Sequence, residues 1–380
     1  MRRETGTPRD GWEKTIESQG LAYHRAAHPA GLSRPYWDES AHYVFTMDEV
    51  LELESQVEEL HQMCLSAVEH VVSTGRYADF AIPGWAREDV ARSWERRDDH
   101  LYARFDLRYD GTGPAKLLEY NADTPTSLVE SSVVQWFWLK DTHPDDDQWN
   151  SVHERLIDRW KELRLPPGPT HFAWTNMDET GEEAMTLAYL QETAEQAGRP
   201  TVAIAMEDIG WDGAGRFVDL EQRWIRSAFK LYPWEWMLAD DFGRHAVRHA
   251  TWIEPLWKTL LSNKALLALL WELYPGHPNL LPAYLDGPRE MSSYIAKPLL
   301  GREGASMRIV TPTGGQETTG SYGAEGYVYQ GFEALPVFDG QRPVLGAWVV
   351  ADESAGLGIR ETTGYITDDT SSFVPHRIAS

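Results

Sequence analysis

The period of the apolar positions changes several times along the chain, and each change predicts an element. After Thr46 the stretch MDEVLELESQVEELHQMCLSAVEHVV opens with acidic residues and places Val50, Leu53, Val57, Leu60, Cys64 and Val68 on one stripe. That spacing predicts an amphipathic helix capped by Thr46 and ended by Gly75. WAREDVARSWER predicts a second, short helix. The period then drops to two. LYARFDLRYD and the segment ending in LLEYN read as neighbouring strands, with side chains alternating between faces. LVESSVVQWFWLKDTHP and WNSVHERLIDRWKELRL predict helices separated by the polar run Asp145-Asp146-Asp147. THFAWTN, GEEAMTLAYLQETAEQAG and TVAIAM follow as strand, helix and strand, the alternation of an α/β unit. LEQRWIRSAFKLYPWEWML and WIEPLWKTLLSNKALLALLWELY read as helical, the second broken by Pro275 and Pro278. From SSYIAKPLL onward the runs SYIAKPL, SMRIVTP, GYVYQGFE, RPVLGAWVVAD and GLGIRETTGYI predict antiparallel strands joined by glycine-rich turns. Residues 1–45 read as irregular, with PYWDESAHYVF as a docking segment.

Composition narrows the class. A chain of 380 residues with 42% hydrophobic and 25% charged residues can bury a large core. A net charge of −24 disfavours non-specific binding to nucleic acid or to an anionic membrane. The single cysteine, Cys64, excludes an intrachain disulfide framework and a multi-cysteine zinc site, and its apolar helical setting marks it as packing. The first residues lack an apolar signal region and no run reaches the ~20 apolar residues of a membrane span, so a cytoplasmic location is expected.

The chemistry concentrates around LLEYNADTPTS. Glu119, Asn121 and Asp123 stand at alternate positions after an apolar pair, and Asp106 lies on the neighbouring strand. Together they offer an all-oxygen cluster suited to Mg²⁺ shared with a phosphate chain. The same residues also make good turn and capping chemistry. Lys297 leaves a strand just before the loop Gly301-Arg302-Glu303-Gly304, where phosphate oxygens could meet its charge and nearby backbone N–H groups. TPTGGQETTGSYGAEG reads either as a lid or as a mobile hairpin. By burial preference alone Lys264 is a solvated helix charge, and Arg360 a surface ion-pair partner. Together, two lysines, two arginines, oxygen ligands and a glycine-rich loop are what the stabilisation of ATP phosphates requires. No Ser-His-Asp elbow or HExxH motif is present.

LLEYNADTPTSLVE, LLSNKALLALLWELYPGHPNLLPAY, YIAKPLLGREGASM, YVYQGFEALPVF and SSFVPHRI resemble, in order, the glutathionylspermidine synthase family, with the likeness running from Tyr36 to Ile378. The resemblance implies a mixed α/β (α+β) ATP-grasp fold, permuted so that the metal ligands precede the nucleotide lysines. It divides the chain into 1–165 with the metal strands, 166–255 as a substrate-binding α/β unit, and 256–380 as the nucleotide-binding part with the lid. Position by position, it implies Asp106, Glu119 and Asn121 as Mg²⁺ ligands, and Arg104, Lys264, Lys297 and Glu303 at the ATP phosphates. Gln330, Gly331, Phe332 and Glu333 correspond to the hinge that meets adenine. Arg104 and Arg360 take the catalytic positions, Arg360 steadying the transferring phosphoryl group. Thr124, Thr126, Glu182, Glu183 and Asp369 fall at substrate positions. Thr124 and Thr126 replace serines that contact glutathione in bifunctional members, and Leu231-Tyr232 lies where those members have a glutathione-binding threonine. The amidase domain of those members has no counterpart here, so the resemblance implies the stand-alone branch.

The resulting expectation is an ATP- and Mg²⁺-dependent ligase that joins a carboxylate to an amine through an acyl phosphate, releasing ADP and phosphate. Its substrates would be small-molecule or peptide acids and amines, with a polycation as the amine. Two other readings stay open on sequence: a non-catalytic nucleotide-binding module and a small-molecule kinase.

Overall fold

Thr46 starts the long helix as its capping sequence requires. Its hydroxyl accepts from Glu49 N at 3.2 Å, and the Glu49 carboxylate accepts from Thr46 N at 2.9 Å, closing a capping box. The helix runs over Met47–Thr74 and buries Val50, Leu53, Val57, Leu60, Cys64 and Val68, ending where Gly75 turns left-handed at φ 74°. Burial raises the Cys64 thiol far above its ordinary pKa, which leaves it inert. In this computed structural model residues 1–25, 34–175, 181–367 and 370–379 are described.

The two short-period segments form strands Tyr102–Arg108 and Lys116–Asn121. They close one end of a five-stranded antiparallel sheet, whose remaining strands are Arg342–Val350, Glu353–Thr362 and Ser372–Val374. Chain segments more than 200 residues apart therefore share one sheet. A second five-stranded antiparallel sheet runs in the order Ala283–Tyr284, Tyr327–Gly331, Tyr294–Pro298, Arg308–Thr311 and Gly314–Glu317. A parallel sheet is formed by Thr251–Ile253, Ser227–Lys230, Thr170–Trp174 and Thr201–Ala205, with helix Glu182–Gln196 connecting the last two.

Three stretches differ from the sequence reading. LEQRWIRSAFKLYPWEWML contains a buried strand, Ser227–Lys230, and only then a short helix, Trp234–Ala239. A strand with every position buried has no polar alternation, so its period cannot be told from that of a buried helix. The WIEPLWKTLL stretch likewise begins as strand Thr251–Ile253 and a 3₁₀ turn, Leu256–Leu260, before helix Ala265–Leu273. The N-terminal region also has structure: Arg2–Thr5 pairs antiparallel with Ala41–Phe45, which pairs parallel with His376–Ile378. That pairing is non-local, and no local pattern announces it. Among the described residues no helix is long and apolar enough to cross a membrane.

Candidate active site

The register of the two central strands sets the geometry. Asp106 stands opposite Glu119 and Arg104 opposite Asn121, with an irregularity immediately after Asp106. Opposed residues share a face of the sheet, so all four side chains lie together at its end. On the other side Asp106 faces Gly346, which in turn faces Gly358. Gly346 leaves room for the stem of Arg104: a Cβ there would stand 3.0 Å from Arg104 Cδ. Arg104 Nε donates to Asp106 Oδ1 at 2.8 Å, and Nη1 donates to the Thr126 carbonyl at 2.9 Å. Arg360, two residues past Gly358, crosses the bare strip and donates to Asp106 Oδ2 at 2.8 Å. Burial alone would raise the Asp106 pKa, but Arg104 and Arg360 hold it below the usual carboxylate range.

Two lysines approach from the second sheet and the helix beside it. Lys264 is not a solvated helix charge. It caps helix Ala265–Leu273, is 4% exposed, and donates from Nζ to Glu119 Oε1 at 2.8 Å and to the Gly301 carbonyl at 2.5 Å. Lys297 donates to the Leu118 carbonyl and to Gln330 Oε1, both at 2.8 Å. Gln330 is itself fixed, its amide donating to the Leu117 carbonyl at 2.9 Å. Burial lowers the Lys297 ammonium to a pKa of about 8. Arg360 is no surface ion-pair partner either, since it reaches Asp106 inside the cleft.

These groups line one cleft of about 800 Å³. It brings together Arg104, Asp106, Glu119 and Asn121 on the first sheet, with Lys264, Lys297, Glu303, Gln330 and Arg360 around them. Gly331, Phe332 and Glu333 line it, and Phe332 packs with Ile295 and Met307 in an apolar slot. Thr124, Thr126, Glu182 and Glu183 line the cleft as well. Asp369 lies outside the described residues. Among the hinge residues, the Gln330 side chain serves Lys297, and Glu333 lies 3.2 Å from Arg108 in an ion pair.

Asp123 departs from the metal reading. Its Oδ1 accepts from Lys230 Nζ at 2.6 Å and its Oδ2 from Trp234 N at 2.8 Å. Its oxygens join a buried ion pair and the start of helix Trp234–Ala239, so Asp123 helps to build the wall of the cleft. Among the described residues no three His, Cys, Asp or Glu side chains form a metal cage. Asp106, Glu119 and Asn121 nevertheless fit Mg²⁺, which takes one or two carboxylates and completes its shell with water and phosphate.

Residues that the sequence reading passed over also line the cleft. Arg302 donates to Thr124 Oγ1 at 2.7 Å and lies 3.6 Å from Glu235. Its loop is held close by Gly304, at φ 71°, where a Cβ would meet Ile366 Cγ2 at 2.6 Å. Ser262 receives the Ala122 N–H at 3.0 Å and so fixes the strand end beside Asn121. Tyr36 lines the cleft too.

The family model described as glutathionylspermidine synthase preATP-grasp matches residues 3–379. The chain belongs to the glutathionylspermidine synthase family. A Haemophilus influenzae protein provisionally named an acid–amine ligase is 41% identical, with 99% of each chain covered. Trypanothione synthetase of Crithidia fasciculata is 28% identical over 84% of this chain and 54% of its own length. The bifunctional glutathionylspermidine synthetase/amidase of Escherichia coli is 26% identical, over 88% and 58%. This member of the family thus spans a little over half the length of the latter two. A glutathione synthetase-like effector of Globodera pallida shares its fold, with a TM-score of 0.56 over 97% of this chain and 96% of that one, at 10% identity.

Proposed function

We propose that the protein is an ATP- and Mg²⁺-dependent acid–amine ligase working through an acyl phosphate. One observation carries this reading: two strand-borne carboxylates, Asp106 and Glu119, face two buried lysines across a cleft that also holds Arg104 and Arg360. The names of the relatives, all of them ligases or synthetases, support it. Residues 1–165 would supply the metal strands, 166–255 the substrate unit and 256–380 the nucleotide part.

Asp106, Glu119 and Asn121 would hold Mg²⁺, which neutralises phosphate charge when bound. Lys264 and Lys297 hold phosphate oxygens, and the apolar slot beside Phe332 takes the base. The acid's carboxylate oxygen attacks the γ-phosphorus, with ADP leaving. Arg360 is placed to hold the transferring phosphoryl group, which stays charged throughout and gains from a planar two-pronged donor. The amine then attacks the acyl carbon, and phosphate leaves. Incubating the protein with Mg-ATP and pooled cell metabolites should yield a condensation product by mass spectrometry, with ADP and free phosphate. A phosphoester without free phosphate would mean a kinase instead.

Arg360→Lys should depress kcat more than ATP binding, because lysine keeps the charge and loses the fork. Single-turnover rates and calorimetry separate the two, and wild-type kcat in the variant would refute the assignment.

The lowered Lys297 pKa predicts a pH dependence. Below about 8 the free protein already carries the ammonium that phosphate needs. Above that value binding must take up a proton, so ATP affinity should fall by up to ~10-fold per pH unit. Calorimetry across pH 7–9.5 checks this, and Lys297→Met should bind weakly with a flat profile. A falling profile in that variant would assign the effect elsewhere.

A polycationic amine suits the net charge of −24 and the acidic pair Glu182-Glu183 in the cleft. For such an amine kcat/KM should fall with rising salt, and Glu182→Gln should lower it at low salt. If neither changes the ratio, the amine is not recognised by charge.

A further inference from the structure

Tyr36, which lines the cleft, and Glu130, bonded to its hydroxyl, have no role in the scheme above. The Tyr36 ring packs on Phe373 with centroids 5.2 Å apart, and its carbonyl accepts from Phe373 N at 2.6 Å. Phe373 is paired across the sheet with Arg360, so Tyr36 lies one strand beyond the guanidinium that reaches Asp106. Tyr36 and Phe373 both line the cleft.

Behind Tyr36 is Glu130, 1% exposed, carried by the π-helical turn Val129–Val134. This turn packs onto the sheet at Gly358, where a Cβ would stand 2.3 Å from Ser131 Oγ. Glu130 Oε1 accepts hydroxyl protons from both Tyr36 and Tyr23, each at 2.5 Å, while Oε2 is buried without a hydrogen-bond partner among the described residues. No Lys or Arg among the described residues forms an ion pair with it. A buried carboxyl left half-satisfied costs stability, so packing alone gives no reason to keep it. The charged groups felt by this cluster are Arg104 from the strand and Glu182 from the start of its helix. Burial raises the Glu130 pKa above the ordinary carboxylate value, in the direction that makes a carboxylate a better base.

We propose that Tyr36, backed by Glu130, is the proton acceptor for the attacking amine, an assignment that rests on the ligase reading. An amine arrives as an ammonium ion and has no lone pair until a proton leaves. One ammonium proton passes to Tyr36 Oη, directly or through one water, as the Oη proton passes to Glu130 Oε1. The freed lone pair attacks the acyl carbon and the C–N bond forms. The C–O bond to phosphate breaks, and the second N–H proton leaves with the phosphate. Tyr36 is the catalytic residue in this step, and Glu130 positions it and receives its proton.

Hydroxylamine tests this directly, because it is largely unprotonated at neutral pH and needs no base to attack an acyl phosphate. Wild type, Tyr36→Phe and Glu130→Gln would be assayed with Mg-ATP and a panel of acids comprising glutathione, γ-glutamyl dipeptides and free amino acids. Each would be offered hydroxylamine and, separately, a panel of amines comprising spermidine, putrescine, lysine and ammonium. The expected result is hydroxamate formation within about twofold of wild type in Tyr36→Phe, with amide formation down ~100-fold at pH 7. The amide deficit should shrink as pH rises towards the amine's own pKa of about 10. Equal losses with both acceptors would show a structural role and overturn the proposal, as would undiminished amide formation. Tyr36→Phe keeps the ring and its packing, so it decides the matter even if Glu130→Gln fails to fold. Wild type that makes hydroxamate but no amide with any amine overturns the proposal alone. No hydroxamate from any acid overturns the ligase reading as well.

Discussion

Glu119→Ala should abolish turnover and leave the protein folded. Glu119 is half-buried at the end of the sheet, on a strand paired on one side only, and its carboxylate points to the cleft. Removing it deletes one of two carboxylates that can hold Mg²⁺ against the phosphates, so the loss in kcat should reach at least ~10³-fold, about 4 kcal/mol of barrier. Lys264 would keep its 2.5 Å bond to the Gly301 carbonyl, so no buried charge is left bare. Stability should therefore fall by no more than ~1 kcal/mol, the scale of one hydrogen bond. Turnover and urea unfolding on the same preparation check both halves. Full activity in the variant would remove Glu119 from the site, and an unfolded variant would reassign it to the core.

Asp123→Ala, two positions past Asn121 in the same motif, has the opposite signature. Lys230 is fully buried, and its Nζ lies 2.6 Å from Asp123 Oδ1. The other oxygen holds the Trp234 N–H. Truncation would strand a buried ammonium, which costs roughly 3–5 kcal/mol when one partner of a buried pair is removed. The indole of Trp234, 4.8 Å from the ammonium, offers only partial relief. A large fall in the urea midpoint is expected, with partial recovery in Asp123→Ala/Lys230→Met, where the charge is gone. A midpoint within about 1 kcal/mol of wild type would show that the ammonium finds water or another partner.

These two residues also mark how far the sequence could be read. Period-two alternation put Glu119, Asn121 and Asp123 on one face, and Asp106 on the neighbouring strand. The register of Asp106 opposite Glu119 bears out that part. Asp123 lies beyond the last paired residue, where strand alternation no longer governs direction, and Lys230 draws it into the wall. Nothing near Asp123 in sequence announces a lysine 107 residues away. Lys264 shows the reverse case. Its local pattern is that of a solvated helix residue, and only the Gly301 carbonyl and Glu119, from two other elements, explain its burial. Local period fixes faces, while buried charges are assigned by partners that the fold supplies. Ser227–Lys230 eluded the pattern for a related reason, since a strand buried on both faces has no alternation to read.

Coupling of ATP cleavage to amide formation in the cleft would depend on Asp106 and its neighbours. Its most direct test supplies an accepted acid labelled with ¹⁸O in the carboxyl group, together with Mg-ATP and the amine. ADP, phosphate and amide should then appear in equal amounts, with one ¹⁸O carried from each acid into the phosphate, and Asp106→Asn should form none of the three. Phosphate free of ¹⁸O, or ADP formed without amide, would contradict it.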